Sequence, residues 1–129
     1  MKIERAIERI SETENLTDAL EDDDANWLLE WGFNRLPGLI GSTPNDQEAD
    51  SKLTQLMGVM RQVNYITGER EVLEEKDLER EIRVLADDYR KTFGKGRKPS
   101  PDDSRQIARE LGRQPPRQAM QTLLGKLEE

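Results

Sequence analysis

The sequence predicts an all-α fold, a bundle of about four core helices followed by a basic two-helix tail, from three observations. Apolar residues recur at three- and four-residue spacing along most of the chain, strand-like alternation is nearly absent, and Pro, Gly and capping residues punctuate the periodic runs. The 129 residues match the size of one ordinary domain. Apolar residues make up only 33% and charged residues 36%, so the core is expected to be thin and drawn from amphipathic stripes, or completed by a partner.

Ile3, Ala6, Ile7 and Ile10 predict a short first helix ending near Glu14. Asp22, Asp23 and Asp24 place negative charge before Trp27, which favours a helix N-terminus and predicts a second helix from about Asp23 to Leu36. Its Ala25, Trp27, Leu28, Leu29, Trp31, Phe33 and Leu36 cover most of its circumference, marking a central helix. Leu36-Pro37-Gly38 is expected to interrupt it. Thr43-Pro44-Asn45-Asp46 then combines a capping Thr, Pro at the first helical position and an acidic first turn. Leu53, Leu56, Met57, Met60, Val63 and Ile66 carry a third helix of about 24 residues to Gly68. The fourth, from about Glu69 to Phe93, shows the stripe Leu78, Ile82, Leu85 and Tyr89, stops at Gly94, and forms an antiparallel hairpin with the third through a Gly68 turn. Lys95-Gly96-Arg97-Lys98-Pro99 reads as a basic linker. Ser100-Pro101-Asp102-Asp103 starts a fifth helix closed by Gly112, and Pro115 or Pro116 starts a sixth carrying Ala119, Met120, Leu123, Leu124 and Leu127. Residues 1–93 are thus expected to form an acidic bundle. Residues 94–129 form a basic helical pair or an arm that orders on a partner, unless the two are one continuous domain.

Several chemistries are excluded. Without Cys or His there are no disulfides, thiolate nucleophiles, zinc fingers or His-based acid–base catalysis, and no cofactor is expected. No stretch approaches the roughly 18 apolar residues of a membrane helix, and Met1-Lys2-Ile3-Glu4-Arg5 opens no signal-like apolar region. A soluble, cytoplasmic, non-enzymatic protein is the expectation.

The net charge of −7 averages two unlike regions. Residues 1–89 hold 10 basic and 22 acidic side chains and net −12, whereas residues 90–117 hold 9 basic and 3 acidic and net +6. The basic segment suits nucleic-acid phosphate, an acidic protein, or the acidic body of this same chain. Arg105, Arg109, Arg113 and Arg117 recur every four residues, but Gly112 and Pro115-Pro116 are expected to split that row into two short patches.

Within this segment, Pro101-Asp102-Asp103, Ile107-Ala108-Arg109-Glu110-Leu111-Gly112 and Pro115 resemble the helix-turn-helix of bacterial transcription factors, particularly the helical modules of sigma factors. The resemblance implies a close helix crossing at Ala108, a left-handed turn at Gly112, and Gln114, Arg117, Gln118 and Gln121 facing the major groove of DNA. Two residues depart from it. Arg113 follows the turn where an apolar residue is usual, and Gln118 occupies the inward position of the second helix. Gly96-Arg97-Lys98-Pro99 faintly resembles a minor-groove AT-hook, interrupted by Lys98.

Trp27, Trp31 and Phe33 hold half of the six aromatic residues. They are expected at the centre of the core, or alternatively as a contact surface for another protein or a second copy of the chain. The acidic run Glu69, Glu71, Glu74, Glu75, Asp77, Glu79 and Glu81 invites comparison with all-α nucleotide pyrophosphatases, whose paired Glu-x-x-Glu and Glu-x-x-Asp motifs bind Mg. Glu71 and Glu74 match the first pair, while the second is missing and Lys76, Arg80 and Arg83 interrupt the run. The function expected first is therefore a small regulatory or interaction protein, acting by helix-face burial through the Trp27, Trp31 and Phe33 region and by electrostatic docking through the basic segment from Arg90 to Arg117, which includes Arg97, Lys98, Arg105, Arg109 and Arg113. DNA binding comes second and Mg-dependent nucleotide hydrolysis third.

Overall fold

The computed structural model describes residue 8, residues 22–41 and residues 45–128. Apart from Glu8, which is helical and exposed, the expected first helix lies outside the described residues, as does its Ile3, Ala6, Ile7 and Ile10 stripe. Within them five helices pack together without strands: α1 (Asp22–Ile40), α2 (Asp46–Glu69), α3 (Glu75–Phe93), α4 (Pro101–Leu111) and α5 (Pro116–Glu128). No helix among the described residues is long and apolar enough to cross a membrane.

Helix α1 does not stop at Leu36. It continues through Pro37 to Ile40, and Gly41 N–H then donates to the Pro37 carbonyl at 3.0 Å. Pro inside a helix forfeits one backbone hydrogen bond and crowds the preceding turn. Leu36, Leu39 and Ile40, all buried, extend the apolar face across the interruption, so burial outweighs that cost. Helix α2 starts later than expected. Its N-cap is Asn45, whose side-chain oxygen accepts from Glu48 N–H at 2.9 Å.

The turn of the α2–α3 hairpin lies at residues 70–74, not at Gly68, which remains helical. Val72 and Leu73 N–H groups both bond to the Glu69 carbonyl, and Leu73 tucks against the core. That contact draws the chain out of the helix and delays α3 to Glu75. Helix α3 ends at Gly94, whose φ of 68° is left-handed and whose N–H reaches the Arg90 carbonyl at 2.8 Å. Helix α4 begins with a capping box. Asp103 N–H donates to Ser100 Oγ at 3.1 Å, and Ser100 N–H reaches back to Asp103 Oδ2 at 3.4 Å.

Helix α2 is the centre of the fold and contacts α1, α3 and α5, while α3 also receives α4 along its length. One apolar cluster runs through all five helices, from Leu28 and Leu36 through Leu56, Met60 and Ile66 to Ile82, Leu111, Met120 and Leu123. The tail helices therefore add buried Leu, Met and Ile to the bundle's core, each worth about 1.5–3 kcal/mol when fully buried. A chain this poor in apolar residues gains from pooling them in one interior.

Candidate functional site

The surface to examine is where the basic segment meets the acidic bundle. Helix α4 lies along α3 with two ion pairs in antiparallel register: Arg109 Nε to Glu75 Oε1 at 2.8 Å and Arg105 Nε to Glu79 Oε1 at 3.4 Å. At the start of α5, Arg117 Nε reaches Asp24 of α1 at 3.2 Å. Arg97 pairs with Asp103 at 3.3 Å, inside the α4 cap. The arginine row is split as the sequence implied, with Arg105 and Arg109 on α4, Arg113 in the turn and Arg117 on α5. Three of the four are turned onto carboxylates of the bundle. The arginine of each pair is exposed, whereas the Glu79 and Asp24 carboxylates are largely covered; pairs with one partner in solvent add about 1 kcal/mol or less, so together they fix register more than stability.

Arg113 has no carboxylate partner among the described residues and is exposed, as are Lys98, Gln118 and Gln121. Gln114 does not face outward as the helix-turn-helix resemblance implies. Its side-chain oxygen is buried without a hydrogen-bond partner, and its backbone carbonyl accepts from Arg70 Nε at 3.1 Å. Gly112 also departs from that pattern, with a right-handed φ of −64°. The inward positions of α5 are Ala119, Met120, Leu123, Leu124 and Leu127, which leaves Gln118 outside. Ala108 is buried, as a close crossing of α4 requires.

No family model, curated protein or solved structure matches the chain. Helix α5 carries no acidic residue before Glu128. That carboxylate is occupied: Arg35 Nη2 and the Tyr89 hydroxyl both donate to its Oε1 at 3.0 Å. Arg113, Gln118 and Gln121 are exposed at the α4–α5 corner, and none of them is paired with a carboxylate among the described residues.

The aromatic cluster has a different setting. Trp31 is buried, stands edge-on to Phe93 at 6.0 Å between ring centroids, and has the Arg35 guanidinium 4.7 Å over its ring. Tyr89 stacks at a tilt on Phe93 at 4.5 Å. Trp27 and Phe33 are half-buried against the same core, and Trp27 borders a shallow hollow with Glu30, Trp31, Asn34 and Arg35. The Arg35–Glu128–Tyr89 clasp ties α1, α3 and α5 together. Burial first, and the Glu128 carboxylate second, hold the Tyr89 phenol well above its ordinary range. Sequence periodicity marks Tyr89 as core but carries no signal for its partner 39 residues away.

Among the described residues no group of three carboxylates converges as a metal ion would need. Glu71 lies in the α2–α3 connection and Glu74 at the cap position before α3, so the Glu-x-x-Glu spacing does not form a pair on one helical face.

Proposed function

We propose that the chain is a small, non-enzymatic interaction protein that docks an acidic protein surface through the α4–α5 corner. The observation that carries this reading is the exposed Arg113, a basic residue of the +6 segment with no carboxylate partner among the described residues, with the exposed neutral Gln118 and Gln121 on the helix that follows it. A second copy of the chain, acidic over α1 to α3, is one such surface. The half-buried Trp27 and Phe33 serve the core before any partner.

The test is a titration with an acidic polypeptide across a salt series, using the chain and an Arg113→Ala/Gln118→Ala/Gln121→Ala variant. Binding that weakens with salt and disappears in the variant supports the reading, and equal binding by both proteins removes it. Light scattering over a concentration series reports whether the acidic surface is a second copy.

DNA binding is the second reading, favoured by Gln118 and Gln121 standing exposed on α5 after the turn from α4. It predicts that a duplex competes with the acidic polypeptide. A mobility shift absent at low salt would sink it.

A further inference from the structure

The connection between α2 and α3 meets the turn between α4 and α5 in an open, shallow cleft whose charged lining is Arg70, Arg109, Arg113 and one carboxylate, Glu75, with Leu73 and Gly112 beside them. We infer that this cleft binds a tetrahedral oxyanion, the phosphate group of a small molecule. Arg70 is half-buried, and its Nε and Nη1 donate to neutral acceptors only, the carbonyls of Gln114 and Thr67. It has no carboxylate partner among the described residues. A partly desolvated guanidinium held by neutral carbonyls lacks a counter-ion.

Arg113 immediately precedes Gln114, the residue that holds Arg70. It too has no carboxylate partner among the described residues and lines the same cleft. The third guanidinium at the rim, Arg109, is neutralised by Glu75 at 2.8 Å, so it does not balance the other two. The one carboxylate of the cleft is taken by Arg109, so Arg70 and Arg113 leave the site with an excess of positive charge that a bound anion would balance. Arg70 is pinned, with Nη2 left to donate, whereas Arg113 is free to swing. That combination suits an acceptor whose oxygens point in several directions, as those of phosphate do. Leu73, half-buried with the core residues Leu78 and Ala108 behind it, gives one side of the cleft an apolar edge. The cleft holds no hydroxyl, thiol or imidazole nucleophile, so it is assigned to binding. It shares Arg113 with the docking face proposed above and is otherwise independent of it.

The experiment is a titration of inorganic phosphate into the full chain, followed by nitrogen–proton NMR against sodium chloride of matched ionic strength. Expected are saturable shifts at Gly112, Arg113 and the Arg70 Nε–H with phosphate and not with chloride. Arg113→Gln should weaken binding about tenfold, the effect of losing one charge-assisted contact. Lys98→Gln, a basic residue outside the cleft, should leave it unchanged. Shifts reproduced by chloride, centred on residues 95–98, or unaltered by Arg113→Gln overturn the assignment. Gln118→Glu with Gln121→Glu separates the two proposals: it abolishes acidic-partner binding and leaves phosphate binding intact.

Discussion

The acidic three-helix part, α1 to α3, and the basic pair, α4 and α5, differ in the sign of their charge but not in how they are built. Both present apolar stripes at helical spacing to one interior, and Leu111 and Leu123 are as fully buried as Leu53 and Leu85. Their charges meet at the seam, where Arg105, Arg109 and Arg117 face Glu79, Glu75 and Asp24. The contrast teaches that a segmental charge is not a surface potential. Folding spends much of the basic segment on the chain's own carboxylates and leaves Arg90, Lys95, Lys98 and Arg113 without an ion pair among the described residues.

The strongest way to break this comparison is to remove a core residue from the basic pair. Leu111→Ala should cost about 2–5 kcal/mol. Because one core spans both parts, chemical denaturation followed by circular dichroism should show a single transition for both. Two separated transitions would mean that the pair is an appendage.

Next in size is the alkaline limb. The folded-state pKa of Tyr89 is raised, so the stability it contributes is complete below the ordinary tyrosine value of about 10 and is lost as pH rises above it. Thermal melts should therefore fall above about pH 10, and Tyr89→Phe should flatten that fall. Phe also loses the bond to Glu128, worth about 1 kcal/mol at neutral pH.

Removing the α4 cap with Ser100→Ala should cost about 1 kcal/mol, read as a small shift in denaturation midpoint. Smallest in stability and sharpest for function is Glu75→Gln with Glu79→Gln. Both arginines are exposed, and pairs of this kind are worth about 0.2–1 kcal/mol each with Gln keeping part of the hydrogen bonding, so the melting temperature should move little. With Arg105 and Arg109 released, binding of an acidic polypeptide at low salt should tighten, and unchanged binding would show that the seam does not mask the basic segment.

Helix existence, order and most stops follow from local chemistry, and the residues say why. Ser100, Pro101 and Asp103 cap α4 through contacts within three residues, and Gly94 ends α3 in a conformation few other residues adopt cheaply. The misplaced boundaries were decided by distant packing. Pro37 and Gly68 carry breaker signals that the buried Leu39 and Ile40, or Ile66 and Thr67, override. Arg70 carried no signal at all, since its place beside Gln114 depends on the α2–α3 connection meeting a turn 44 residues later.

By itself, then, the sequence determined an all-α chain with no Cys or His chemistry, its helical stripes and its two opposed charge regions, because capping, periodicity and side-chain inventory are local properties. Tertiary structure alone decided which charges neutralise each other, that Arg35, Tyr89 and Glu128 meet, and that Arg70 and Arg113 share a cleft. Those outcomes depend on which helix faces turn toward one another, and that is set by the packing of a common core.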